Sequence, residues 1–440
     1  MQQLLGADFN RFIASLGEKP PVSIRLNSGK GIKQDDLVSV PWCNSGKYLD
    51  ERPVFTLDPM FHAGAYYVQE ASSMFLEQTL LQTNDLKQPL NILDLCAAPG
   101  GKSTHILSLI SDESLLVSNE VIRSRASVLS ENIQKWGYAN VIVTNNDPED
   151  FKKLKGFFDI VVVDAPCSGE GLFRKEPEAI QEWSPANVEL CRKRQRRILS
   201  DVWPSLKSGG TLIYCTCTYN NLENEDNLTW LKDQHDVEFL TIKTDPTWCI
   251  SESLDGNIKG YHFYPHQVRG EGFFMAAIRK TSDQETVYVK PKDKVFQRPA
   301  SKIISLLNQW IIHPEKRTFL QWKENVLMVP ASKQIEIEFI ARQLHIVSTG
   351  TAVGELKHEK LIPDHAFALS LSINRPFFLS LEITREQAIQ YLRKETVTLH
   401  APKKGFALIT FNGLPLGWVN VLDNRINNLY PANWRIRMQK

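Results

Sequence analysis

Two stretches of the chain carry groups suited to covalent chemistry at carbon. Val161–Gly171 reads VVVDAPCSGEG and Leu212–Asp226 reads LIYCTCTYNNLENED. Each sets a cysteine, Cys167 or Cys217, just past an apolar run rich in β-branched residues. A lone buried cysteine commonly serves as a small hydrophobe. Two of them at the ends of neighbouring strands, one preceded by Asp164-Ala165-Pro166, are not explained by packing. A thiolate can add to carbon 6 of a cytosine, which saturates the ring and makes carbon 5 enamine-like. Carbon 5 can then take a methyl group from a sulfonium donor, and a base must remove its proton before the thiolate leaves. Such a reaction needs a nucleophilic cysteine, a donor at the ring edge and a proton acceptor. Proximity to proline does not decide which thiol attacks. The helix expected after Cys217, through its N-terminus, and Lys102 are the groups offered to favour a thiolate.

A second constellation lies upstream, in NILDLCAAPGGKSTHIL (residues 91–107). Small residues at alternate positions let a strand-to-helix turn bend sharply and approach a ligand. Cys96, Ala98 and Gly100 hold those positions after Asp94. Two glycines of the usual pattern are thus replaced, which suits a bulky uncharged ligand better than a pyrophosphate. GGKS lacks the spacing of a P-loop. Glu120 at the end of the next strand is placed for ribose hydroxyls, and Asp147 for an adenine amino group. Asp164 ends a fourth strand. Acids at successive strand ends are expected where a ligand lies across the carboxyl edge of a sheet; singly, each serves equally as a helix cap.

Positioning these groups requires strands alternating with helices. Apolar runs at Asn91–Leu95, Leu115–Glu120, Val141–Asn145, Phe158–Asp164 and Gly210–Cys215 supply the strands. Ile122, Ala126, Leu129, Ile133 and Trp136 fall at helical spacing between the second and third. The alternation predicts an α/β domain with a parallel, doubly wound sheet of the Rossmann kind. Val237–Thr244 and Gly272–Arg279 are expected to add two closing strands. The divisions expected are an RNA-binding region over 1–85, a catalytic domain over 86–281, and a polar, proline-containing linker over 282–300. A separate α+β region over 301–440 follows.

Length bounds the reading to two or three domains, and composition to a water-soluble globular class: 440 residues, 42% hydrophobic, 23% charged, net charge +1. The first residues show no basic-then-apolar leader, and no run is long enough to span a bilayer, so a cytoplasmic protein without membrane association is expected. Seven cysteines at unequal spacing point to free thiols, and Cys215-x-Cys217 lacks the second pair of a structural zinc site, so no metal is expected.

Together, DLCAAPGGKS, DAPCSGEG and YCTCTYNNLENE resemble the Sun-type family of RNA cytosine-5 methyltransferases, and within it the bacterial enzymes of 16S rRNA. The likeness extends over nearly the whole chain. It includes FTLDPMFHAGAYYVQEASSMF, GLFRKEPEAIQEWSP and YPHQVRGEGFF, and PLGWVNVLDNRINNLYPANWRIR resembles a PUA-like RNA-binding tail, over about 370–440. The resemblance implies a class I methyltransferase using S-adenosylmethionine. It implies Cys217 as nucleophile, Cys167 as the cysteine that releases product, and Asp164 and Lys102 at the cytosine edge. Ala97, Ala98, Pro99, Gly100, Gly101, Lys102 and Ser103, with Glu120, Arg125, Asp147 and Asp164, would hold the cofactor. Where the family often has serine, this chain has Cys215, a nearby thiol expected to complicate alkylation mapping.

RNA contacts are expected from the helix starting at Ser184-Pro185, which carries Arg192, Lys193, Arg194, Arg196 and Arg197, with Arg174 and Lys175 extending it. Phe173, Tyr219 and Phe263 are candidates to line a base pocket. Trp418, Tyr430 and Trp434, with Arg425 and Arg435, are candidates for an RNA clamp or a small core. The partner expected is 16S rRNA or the small subunit, bound by a monomer. The alternatives are a tRNA cytosine-5 methyltransferase and a non-catalytic RNA-binding assembly factor. An amino-group methyltransferase would carry a [DN]-P-P-aromatic motif where this chain reads Asp164-Ala-Pro-Cys167.

Overall fold

The computed structural model describes residues 1–176, 178–253, 258–286, 294–358 and 360–438. Residues 287–293 of the expected linker lie outside the described residues, as do 177 and 254–257 of the expected catalytic domain and 359, 439 and 440 of the C-terminal region.

A ten-stranded sheet organises the chain. Its strands are β1 (Asn91–Asp94), β2 (Leu115–Asn119), β3 (Val141–Thr144), β4 (Phe158–Asp164), β5 (Leu206–Thr216), β6 (Val237–Leu240), β7 (Ser251–Glu252), β8 (Tyr261–Phe263), β9 (Phe273–Lys280) and β10 (Ile346–Thr349). The order is β7-β8-β9-β5-β4-β1-β2-β3-β10, with β6 also paired to β9. Strands β5, β4, β1, β2 and β3 run parallel, while β9 and β10 run antiparallel at either side. The strand order reverses between β1 and β4, and a ligand crevice opens at the carboxyl ends beside such a switch point.

Alternation along the strands explains why both faces must be covered. Ile92, Leu116, Ile160, Val162 and Ile213 enter one apolar core, whereas Leu93, Val117, Val161, Val163 and Leu212 enter another. On the first face pack α1 (Gly101–Leu109), through Ile106 and Leu107, and α2 (Arg123–Trp136), through Leu129, Ile133 and Trp136. On the second pack α3 (Pro185–Val202), through Ile198, Leu199 and Val202, and α4 (Glu225–Gln234), through Leu228 and Leu231. Ser184 caps α3, its hydroxyl accepting from the Asn187 amide.

Three smaller sheets surround this core. An antiparallel one joins Gly46–Leu49, Val22–Leu26 and Tyr66–Val68; two four-stranded ones span Arg317–Pro363 and Leu379–Asn428. The buried Arg25 fastens the first to α1: its Nε donates to Gln69 Oε1 at 2.8 Å, and its Nη2 to Thr104 Oγ1 at 2.6 Å.

Two expectations need correction. The region after residue 301 is not separate, because β10 pairs with β3 and the helix Gln334–Gln343 buries Ile337, Phe339 and Ile340 in the second core. Nothing in the local pattern of residues 334–349 marks this, since a long-range strand pairing has no local signature. Ile122, placed by its spacing on the buried stripe of α2, instead precedes the helix and is 48% exposed.

The end of α2 shows how tightly these parts meet. Gly137 follows it with φ +90°, and a Cβ there would run into the Leu369 carbonyl oxygen. Gly137→Ala should therefore lower stability by about 1–3 kcal/mol. Urea unfolding measures this; an unchanged midpoint would show that the junction relaxes at no cost.

Candidate active site

At the carboxyl edge of the sheet a cleft of about 890 Å³ opens between the ends of β1, β2, β4 and β5 and the helix α3. The two cysteines meet in it because β4 and β5 are parallel neighbours, with Asp164 opposite Cys215. The loops leaving these strands thus start side by side, and Cys167 Sγ lies 2.9 Å from Cys217 Sγ. The Cys217 amide also donates to Cys167 Sγ at 3.3 Å.

A buried carboxylate holds the loops together. Glu223 accepts from the Ser168 amide (3.0 Å), Gln195 Nε2 (2.7 Å) and Asn220 Nδ2 (2.9 Å). Gln195 also reaches the Pro166 carbonyl at 2.9 Å. Ser168, Asn220 and Glu223 flank the two cysteines in sequence, so one anchor fixes both loops. Contact with the Cys217 sulfur, then burial and the nearby Glu223 charge, raise the Cys167 thiol well above its ordinary range. Burial likewise pushes up Cys96 and Cys215.

Across the cleft, Lys102 Nζ donates to Asp164 Oδ2 at 2.6 Å and sits 5.1 Å from the centre of the Phe273 ring. Burial works against its charge, but Asp164, with Cys215 and Asp94 nearby, raises the ammonium overall. At the other end, Glu120 is buried; its Oε1 caps the Ile122 amide at 2.9 Å, and its Oε2 lies 3.5 Å from Arg125 Nη1. Arg125 donates to the Ala98 carbonyl at 2.8 Å, bracing the turn after β1. Gly100 adopts φ +117° at the start of α1, a conformation costly for any residue with a Cβ.

Against this geometry, a model of 16S rRNA methyltransferase RsmB/F matches residues 79–279, a model of the RsmF N-terminal domain matches 1–71, and one of the RsmF PUA domain matches 378–436. The ribosomal RNA small subunit methyltransferase F of Enterobacter sp. (strain 638) is 32% identical, over 96% of this chain and 91% of its own. The chain belongs to this family of rRNA methyltransferases. Its counterpart in Escherichia coli O6:H1 is 31% identical over 96% of this chain and 92% of its own. The crystal structure of a methyltransferase homologue from Pyrococcus horikoshii superposes with a TM-score of 0.55 at 29% identity, covering 63% of this chain and 92% of that one.

Of the residues singled out in the sequence, Cys167, Cys217, Asp164, Lys102, Ala98, Glu120, Arg125 and Asp147 all line the cleft. Ala97, Pro99 and Gly101 line a smaller adjoining cavity of about 140 Å³. Gly100 and Ser103 line neither; Ser103 is buried and donates to Asp94 Oδ2 at 2.6 Å. Asp147 reaches the cleft but accepts from Arg197 Nη2 at 2.9 Å.

Other expectations change. The helix offered to Cys217 begins only at Glu225, and Lys102 is paired with Asp164, so neither stands as a direct aid to that thiol. Cys215 is fully buried and would be shielded from alkylation. Phe263 is a core residue, and Phe173 and the buried Tyr219 line a neighbouring cavity, so none of the three lines the cleft; Phe273 does. Arg174 is buried against Glu271 (3.0 Å) and is no phosphate ligand. Lys193, Arg194 and Arg197 line the cleft, while Arg196 binds Asn227 on α4. Trp418 and Tyr430 are buried, but Arg425 and Arg435 are exposed.

The sequence reading missed Val121 and Ile122, whose exposed apolar side chains form a cleft wall, and the anchor pair Gln195–Glu223. Gln195 had a signal: it is the one uncharged residue within RKRQRR, four after Cys191 and three before Ile198, on the buried stripe. Among the described residues, Cys43, Glu77 and His105 form a buried group close enough to share a metal ion. They also hydrogen-bond one another, His105 Nε2 lying 3.1 Å from Glu77 Oε2 and Cys43 Sγ donating to the same oxygen at 3.2 Å. Among the described residues no helix is long and apolar enough to cross a membrane.

Asp94 sets a pH dependence. Burial raises its carboxyl from 3.8 to about 7, against the Ser103 hydrogen bond, and its Oδ1 is buried without a partner. The folded state binds this proton more tightly than the unfolded one. The stability it confers is therefore full below the unfolded value and lost as pH rises through about 7. Urea unfolding from about pH 5 to 9 should show that decline, and Asp94→Asn should flatten it. An equal decline in the variant would assign the titration to another group.

Proposed function

We propose that the cleft methylates carbon 5 of a cytosine in 16S rRNA, using S-adenosylmethionine and a covalent adduct to Cys217. The observation that carries this reading is the pair of sulfurs 2.9 Å apart at the ends of adjacent parallel strands. The cleft fits the cofactor. Glu120, buried at the end of β2, would receive the ribose hydroxyls; Val121 and Ile122 offer apolar surface for adenine; Asp147 would take its amino group once released from Arg197. S-adenosylmethionine, when bound, supplies an electrophilic methyl group.

The protein's own groups do the rest. Lys102 and Asp164, already paired, hold the cytosine edge and prevent it from turning. Cys217 adds through sulfur to carbon 6, and the ring electrons move to carbon 5. Contact with the Cys217 sulfur and burial favour the thiol form of Cys167, and we assign the attack to Cys217. After methylation, we assign Cys167, once it has given up its own proton, to take the proton from carbon 5; the freed electron pair restores the ring double bond and the sulfur–carbon 6 bond breaks, returning Cys217 as a thiolate. Lys193, Arg194 and Arg197 at the cleft and Arg425 and Arg435 on the PUA region present cations for the RNA backbone. We place the reaction in the cytoplasm, carried out by a monomer on the small-subunit RNA.

Incubation with small-subunit RNA and methyl-labelled S-adenosylmethionine should give 5-methylcytosine, with label confined to N-methylated bases as the refuting result. Cys167→Ala should accumulate a protein–RNA adduct that survives denaturing electrophoresis, whereas Cys217→Ala should give neither adduct nor product. An adduct that persists in Cys217→Ala would reverse the two roles.

A further inference from the structure

Beside the methyl-transfer cleft lies a second cavity of about 680 Å³. One wall is the helix Phe9–Leu16, through Phe9 and Phe12; the other comes from the segments just past both cysteines. The two cavities share that second wall. Cys167, Gly169 and Leu172 line the cleft, while Glu170 and Phe173 line the second cavity. Cys217 lines the cleft, and Tyr219 and Asn220 the second cavity. Three residues of chain reach at most about 11 Å, so the second cavity begins within that distance of the reacting sulfur's backbone.

Its lining is aromatic. Phe12 and Tyr219, both in the lining, are buried and meet edge to face at 5.1 Å. Phe9 and Phe173 are half-buried, and Trp183 is 37% exposed. Glu170 is occupied within the wall: its Oε1 accepts from Trp183 Nε1 (2.9 Å) and Asn220 Nδ2 (3.1 Å), and its Oε2 from the Tyr219 amide (3.0 Å). Aromatic rings and neutral amides thus line the cavity, and its described lining residues include no lysine, arginine or histidine side chain; the amino end of Met1 is the cation beside them. Such a lining suits a flat, uncharged ring rather than a phosphate. The cations Lys175, Lys193 and Arg194 lie on the cleft side, where a backbone would run.

We propose that this cavity receives the nucleobase next to the target cytosine, stacked on Phe173 and Trp183, an inference that rests on the RNA reading above. Unstacking that neighbour removes one of the surfaces that keep the cytosine inside its strand, so the second cavity helps present carbon 6 to Cys217. Because stacking uses the ring face, it tolerates different bases.

The test compares wild type and Phe173→Ala on a small-subunit RNA fragment carrying the cytosine located by bisulfite sequencing. The fragment is either intact or abasic at its 5′ or its 3′ neighbour. Removing one of these bases should lower wild-type kcat/KM about tenfold, through the KM for RNA. Phe173→Ala should show the same loss on intact RNA and no further loss on that abasic fragment, while Trp183→Phe, which keeps a ring, should stay near wild type. Unchanged S-adenosylmethionine affinity, by calorimetry, verifies folding, and the wild-type abasic comparison stands without any variant. Losses that multiply, a Phe173→Ala enzyme as efficient as wild type, or indifference to both abasic sites would overturn the proposal. A wild-type enzyme that makes no 5-methylcytosine on the intact fragment would overturn the proposed function as well.

Discussion

The site depends on one constraint: β4 and β5 are parallel neighbours in register, so the loops leaving them start from the same edge of the sheet. Two thiols 50 positions apart thereby become partners at 2.9 Å. Backbone hydrogen bonding supplies the coarse alignment, as the Ala165 amide reaches the Cys215 carbonyl at 2.9 Å and the Gly171 amide the Cys217 carbonyl at 2.8 Å. Glu223 supplies the fine alignment. A carboxylate buried among three donors is favourable only while all three are in place, so it resists movement of either loop.

The same edge divides the labour of the cleft by polarity. The end we assign to the cofactor combines one buried acid, Glu120, with exposed apolar side chains, Val121 and Ile122. Its reactive end combines the Lys102–Asp164 pair with the sulfurs. Its rim carries the cations of α3, whose opposite side buries Cys191, Ile198, Leu199 and Val202. One helix thus packs the core through one stripe and presents charge through another. The neighbouring aromatic cavity extends this surface away from the sheet, sharing a wall with the cleft.

The errors of sequence reading share a cause. Ile122 matched the helical period of α2 and was therefore assigned to its core, yet it stands before the first turn, where the period no longer dictates direction. Arg174 and the cationic residues of α3 looked alike as charges, but Arg174 is paired with Glu271, a residue 97 positions away that no local pattern links to it. Phe263 was a credible base-stacking residue by type, and its burial was decided by Trp42 and Phe75, from distant segments.

The sequence by itself determined the doubly wound core, the small-residue turn after β1, the acids at successive strand ends, and the identity of the two thiols. These are properties of periodicity and residue type, which act over a few residues and survive any arrangement of the rest. Tertiary structure alone decided that the two sulfurs touch, that β10 from beyond residue 300 completes the sheet, that Glu223 and Gln195 anchor the loops carrying them, and that an aromatic cavity adjoins the cleft. Each of these depends on groups brought together from far along the chain, where desolvation and pairing are set by neighbours that no short window of sequence contains.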